Sequence, residues 1–144
     1  MLKKITVDSK LGEHFPMECH TGGHTVIVDH VKAAGGEDKG PGPIPYLLVG
    51  LAGCLSSMAK LIAMQQKIPL KSFSLTLEGE LDTAGYMGEP TPNRIGLVGI
   101  KVKATIDADI TAEAKKRFLQ EIDHRCPVSD TLQHGTAVSF ELAE

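Results

Sequence analysis

The chain has no tryptophan, and its two tyrosines and four phenylalanines make up only 4% of its 144 residues. That leaves little surface on which nucleobases could stack. Positive charge is also short. Fifteen Lys and Arg stand against eighteen Asp and Glu, for a net charge of −3. The basic residues are scattered, with no block longer than Lys115-Lys116-Arg117. No basic face for nucleic acid follows from such a pattern. Nucleotide signatures are missing: there is no G-x-G-x-x-G and no G-x-x-x-x-G-K-[ST]. A G-x-S-x-G nucleophile elbow is missing too. No cofactor is therefore expected. The first residues, Met1-Leu2-Lys3-Lys4, are followed by polar residues rather than an apolar stretch. That start carries no secretory pattern and leads to the expectation of a cytoplasmic protein. Three cysteines in such a chain do not make a disulfide scaffold. They are core thiols, metal ligands or reactive groups.

What is present is ordinary for a globular chain: 42% apolar and 23% charged residues. The length suits one domain spanning 1–144. Phe15, Met17 and Cys19 alternate, Thr21 to His24 offer a turn, and Thr25 to Val31 are largely β-branched, which together predict a hairpin. The run Gly35 to Pro43 holds four glycines and two prolines and predicts a loop. Pro45 suits the first turn of a helix, and Tyr46 to Met64 are nearly all apolar or small, ending before Ile68-Pro69. The stretch is long enough to span a membrane. Ser56, Ser57 and Lys60 argue instead for a helix buried on nearly all sides of a protein core. Gly50, Gly53 and Ser57 form a small-residue stripe along it. One chain of this size offers too little cover for such a helix, so a homodimer pairing the two long helices is expected.

Phe73, Leu75 and Leu77 alternate as a half-buried strand. A second strand is expected from about Arg94 to Ile106, with a bulge near Gly96 and Gly99, where its apolar phase shifts. Thr111 can cap a helix carrying Phe118, Ile122 and Cys126 on one face and ending at Pro127. Val138, Phe140 and Leu142 alternate as a last strand. The string is β-β-α-β-β-α-β, an α+β fold.

The thiols carry the chemistry. Cys54 lies inside the long helix, where packing alone is the ordinary role of a cysteine. Cys126 closes the second helix, and its neighbours His124 and Arg125 are cations of the kind that stabilise a thiolate. A helix C-terminus opposes that anion. Cys19 continues a strand alternation and is read as core. With His20 and His24 it makes a Cys-His-x-x-x-His cluster, short of the three or four placed ligands that zinc uses, so no metal is expected.

Taken together, the runs Gly22-Gly23-His24-Thr25-Val26-Ile27-Val28-Asp29, Gly35 to Pro43 and Leu47 to Cys54, followed by Cys126-Pro127-Val128-Ser129-Asp130-Thr131-Leu132, resemble the OsmC/Ohr family. The resemblance covers about residues 20–142 and is closest to the generic OsmC-like branch. It implies an intertwined homodimer around paired long helices. It also implies thiol-dependent reduction of organic hydroperoxides in oxidative-stress defence, with Cys54 peroxidatic and Cys126 resolving. A dithiol or a lipoyl-protein would be the reductant. The peroxidase subgroups carry a Glu ten residues before the first cysteine and an Arg on an N-terminal strand. Here Ile44 holds the first place, and no Arg precedes Arg94. Two other readings remain open: a non-catalytic protein holding a small apolar ligand in the dimer-interface pocket, and a different sulfur chemistry such as persulfide handling.

Overall fold

Gly22 and Gly23 both have positive φ, +55° and +79°, as a two-residue hairpin turn requires. They join β2 (Met17–Thr21) to β3 (His24–Val28), paired from Thr21 with His24 to Met17 with Val28. The structure is a computed structural model that describes residues 1–143. It falls into two compact units, residues 1–49 and residues 50–143.

In the first unit a third strand, β1 (Asp8–Leu11), adds to β2 and gives the order β1-β2-β3, all antiparallel. The expected hairpin thus supplies the central strand and one edge strand of a three-stranded sheet. Phe15 lies outside the strand, its ring edge-on to His30 with centroids 5.0 Å apart. The glycine-rich loop after β3 has no strand or α-helix, but it is ordered by hydrogen bonds and holds one 3-10 turn at Lys32–Ala34. Its glycines answer to close approach. A Cβ on Gly36 would lie 1.9 Å from the His30 carbonyl oxygen, and one on Gly40 would lie 2.2 Å from that of Ile27.

Helix α1 (Pro43–Gln66) starts two residues before Pro45, the first-turn proline that the sequence suggests. The Tyr46 N–H donates to the Gly42 carbonyl, so Pro43 and Pro45 occupy first-turn positions, where a missing N–H costs nothing. The Tyr46 hydroxyl donates to the Ile27 carbonyl at 2.7 Å. At the other end Lys67 turns left-handed at φ +55°, and the Ile68 N–H closes back on the Ala63 carbonyl. That is a Schellman ending, with Ile68 packed on the core behind it.

The second unit takes most of α1 and places a two-stranded antiparallel sheet beside it in the chain: β4 (Leu70–Glu80) and β5 (Gly99–Ala108). Phe73 pairs with Ile106, Leu75 with Ala104 and Leu77 with Val102. The register shift lies between Leu70 and Ser72, not near Gly96 and Gly99, because β5 starts only at Gly99 and the phase change falls outside the ladder. Between the strands, α2 (Thr83–Tyr86) is capped by Asp82, which accepts the Ala84 N–H. Helix α3 (Ala112–Arg125) starts on the Thr111 side chain, as expected, and α4 (Pro127–His134) follows at once. Leu51, Leu55, Ala59, Ile62 and Ala63 of α1 form the core with Phe118, Ile122 and Cys126. Each large apolar side chain buried there contributes on the order of 2 kcal/mol.

In the single chain α1 buries one stripe, while Val49 and Met64 are exposed and nothing lies within 4 Å of a Cβ on Gly50 or Gly53. By length and composition alone α1 could cross a membrane, but its closed stripe belongs to a protein core. The last strand does not form. Residues 136–143 have no regular structure, and Phe140 is 94% exposed. The alternation is present, but a strand needs a neighbour to bond.

Candidate functional site

Pro127 ends α3 and also opens α4, since a proline at the first helical position loses no hydrogen bond. Cys126 therefore occupies two roles. It is the C-cap of α3, with its N–H donating to the Asp123 carbonyl at 3.2 Å, and the N-cap of α4. Its Sγ accepts the Ser129 N–H at 3.4 Å. The sequence suggests only the unfavourable helix C-terminus. The structure adds the favourable N-terminus of the next helix, whose partial positive charge faces the sulfur.

A polar clasp holds this first turn. Ser129, itself buried, donates its hydroxyl to Asp123. Gln133 bridges both partners, 2.8 Å to Ser129 Oγ and 3.2 Å to Asp123 Oδ1. The sequence alone assigns no role to these three residues, although Ser129 stands in the Cys126–Leu132 segment. The proline immediately after Cys126 is the signal that could have exposed the cap.

Cys54 rides on α1, half-buried against the same core that contains Cys126. Folding brings the two thiols, 72 residues apart in sequence, to one core as neighbours, and both are free. Cys126 is 0% exposed. Burial pushes its thiol above the usual range, and the neighbouring Cys54 thiol pushes it further, as hydrogen-bond partner and as like charge. The Ser129 and Val128 N–H groups pull the other way without prevailing.

The cations beside Cys126 in sequence serve another group. Arg125 reaches Glu121 at 3.2 Å, one helical turn back. Gln66 at 2.7 Å is the main cause holding the Glu121 carboxyl below the usual carboxylate range, with Arg125 and His124 adding to it against partial burial. Cys126 gains no support from them.

Cys19 is half-buried on β2 and is not part of this pair. His20 is engaged locally, 2.9 Å from Thr25 Oγ1 and 3.5 Å from Glu18. No cluster of three or more His, Cys, Asp or Glu among the described residues could hold a metal ion. Elsewhere on α1, Ser56, Ser57, Lys60, Leu61 and Met64 line an open, mainly apolar groove.

In the first unit, Asp29, which closes the Gly22–Asp29 run, is a buried carboxylate to which the sequence alone assigns no role. It is 0% exposed and accepts N–H groups from His30 at 2.7 Å, Lys39 at 2.9 Å and Glu37 at 3.1 Å. Burial alone would raise its pKa. The backbone donors of Lys39, His30 and Glu37 together hold it below the usual carboxylate range. It organises the glycine loop.

A family model described as OsmC-like protein matches residues 36–141. A hydroperoxide reductase of Mycoplasma pneumoniae is 32% identical over 95 residues, covering 66% of this chain and 64% of that protein. The chain thus matches somewhat less than two thirds of that relative's length. The crystal structure of an OsmC-like protein from Mycoplasma pneumoniae superposes with a TM-score of 0.81 at 28% identity, covering 93% of this chain and 90% of the other. That of an organic hydroperoxide resistance protein OsmC from Legionella pneumophila gives a TM-score of 0.70 at 22% identity, covering 94% and 93%, and shows the shared fold.

Proposed function

Since the chain belongs to the OsmC-like family, we propose that it reduces organic hydroperoxides through Cys54 and Cys126, in defence against oxidative stress. The carrying observation is the meeting of the two free thiols, one half-buried and one fully buried, against one core. The similarity to a hydroperoxide reductase supports the same reading. The Cys54 thiolate attacks the peroxide and breaks its O–O bond, leaving a sulfenic acid and, after proton uptake, an alcohol. The Cys126 thiol condenses with the sulfenic acid, releasing water and forming a disulfide. A dithiol, free or protein-bound as a lipoyl group, then returns both sulfurs to the reduced state.

The active form is a homodimer in this reading. A second copy would cover the open face of α1, with its exposed Gly50–Gly53 stripe, and offer a neighbour to the alternating Val138, Phe140 and Leu142. The place where the peroxidase subgroups carry a Glu holds Ile44, in the first turn of α1.

The test is intact mass after one equivalent of cumene hydroperoxide without reductant. Wild type loses two hydrogens, and Cys126→Ser gains oxygen on Cys54. If Cys54 stays unmodified over minutes, the peroxidase cycle is wrong and the apolar-ligand reading takes its place.

A further inference from the structure

An oxidised Cys54–Cys126 pair would present two sulfurs to a reducing thiol, and they differ in access. Cys126 is closed to solvent, with Ile122 and Phe118 of α3 and Leu51 and Leu55 of α1 in the same buried cluster. Cys54 retains a solvent-facing part in the single chain. Association with a second copy can cover surface but cannot open a sulfur that its own chain already closes. Thiol–disulfide exchange needs the attacking sulfur in line with the bond it breaks, so the buried sulfur is out of reach.

The departing sulfur also has a receiver. The Ser129 N–H points at Cys126 Sγ from the first turn of α4, an eight-residue helix, and the Asp123–Ser129–Gln133 clasp fixes that turn. A thiolate leaving Cys54 would therefore find a backbone donor and a helix N-terminus already in place. The two influences of Cys54 that hold the Cys126 thiol up, its hydrogen bond and its like charge, vanish once Cys54 is tied to the reductant.

We propose, resting on the redox pairing above, that the disulfide has a fixed polarity: the reductant attacks Cys54, and Cys126 is the leaving thiolate. In atoms, the reductant's thiolate forms a bond to Cys54 Sγ, and the Cys54–Cys126 bond breaks. The electron pair goes to Cys126, which takes a proton from water. The second thiol of a dithiol then attacks its own sulfur in the mixed disulfide and releases Cys54 as a thiolate. The reductant ends as a disulfide and the protein as two thiols, so electrons balance.

The experiment bypasses peroxide chemistry. Wild-type protein is oxidised with diamide, treated briefly with sub-stoichiometric glutathione, quenched in acid with N-ethylmaleimide and mapped by peptide mass. Glutathione on Cys54 with maleimide on Cys126, in excess of the reverse pattern by at least about tenfold, is expected from access alone. Cys19 reports on its own peptide. Glutathione on Cys126, or equal labelling of both, overturns the polarity while leaving the redox pair intact. A disulfide that glutathione cannot open also overturns it. Failure of diamide to join Cys54 to Cys126 overturns both the polarity and the cycle it serves.

Discussion

Among the described residues, Asp29 and Cys126 are the two fully closed side chains that can carry negative charge, and they are held in opposite ways. Burial penalises the anion at both. Asp29 meets that penalty with backbone donors from three residues and stays below the usual carboxylate range. Cys126 has the Ser129 N–H at 3.4 Å, some help from Val128, and a second thiol beside it, so it stays above the usual thiol range. Burial raises the pKa of both groups, and the backbone donors outweigh it at Asp29 but not at Cys126, where the Cys54 thiol adds to the rise. A saturated anion is a structural anchor. An undersupplied one, next to a second sulfur, is a group whose charge state is open to change.

Breaking the anchor should have the largest effect. Asp29→Ala strands the N–H groups of His30, Glu37 and Lys39 inside the glycine loop, and the melting temperature should fall by roughly 15 °C. Thermal melts followed by circular dichroism would show it, and a loss of a degree or two would mean that water satisfies those donors. The carboxylate also sets an acid limb. Its folded pKa is depressed, so its stabilising contribution is present above the ordinary Asp value and disappears as pH falls through the lower folded value. In Asp29→Ala that limb should flatten.

Next in size is Ile122→Ala, which removes a fully buried neighbour of the thiol site at a cost of about 3 kcal/mol. Water admitted there should lower the Cys126 thiol pKa. The pH profile of Cys126 alkylation, measured in a Cys54→Ser background, should move to lower pH. An unmoved profile would show that something other than burial holds the thiol up.

The same contrast explains what could be read in advance. Helices α1 and α3, the β2–β3 hairpin and the core role of Phe118 and Ile122 follow from periodicity and caps, which are local signals. Strand β1 does not, because Asp-Ser-Lys-Leu is polar, exposed on all four residues and shows no alternation. Helix α4 was hidden by Pro127, which reads equally well as a stop and as a start. Val138, Phe140 and Leu142 carry a strand's alternation, but alternation is not pairing, and no partner strand lies beside them among the described residues. Asp29 looks like any turn aspartate in sequence. Its burial depends on Glu37 and Lys39, eight and ten residues away, folding back. For the site, both cysteines were visible as residues and their meeting was not, since only packing joins positions 54 and 126.

The smallest effect falls on the undersupplied side of the comparison. Cys126→Ser keeps an acceptor for the Ser129 N–H and a group of nearly the same volume, so the loss at neutral pH should be about 1 kcal/mol. Its pH dependence is the informative part. In wild type the folded thiol pKa is raised, so the neutral thiol is the form that folding favours. The resulting stability is complete below the ordinary thiol value and is lost as pH climbs through the raised folded value. A serine hydroxyl does not ionise in that range. Urea unfolding under reducing conditions from about pH 7 to about pH 10 should therefore bring the two proteins together, the variant's deficit shrinking as the wild type weakens. Parallel curves would mean that Cys126 ionises as easily folded as unfolded. Its closed, donor-poor setting would then have no bearing on its charge, and the contrast with Asp29 would reduce to one of position alone.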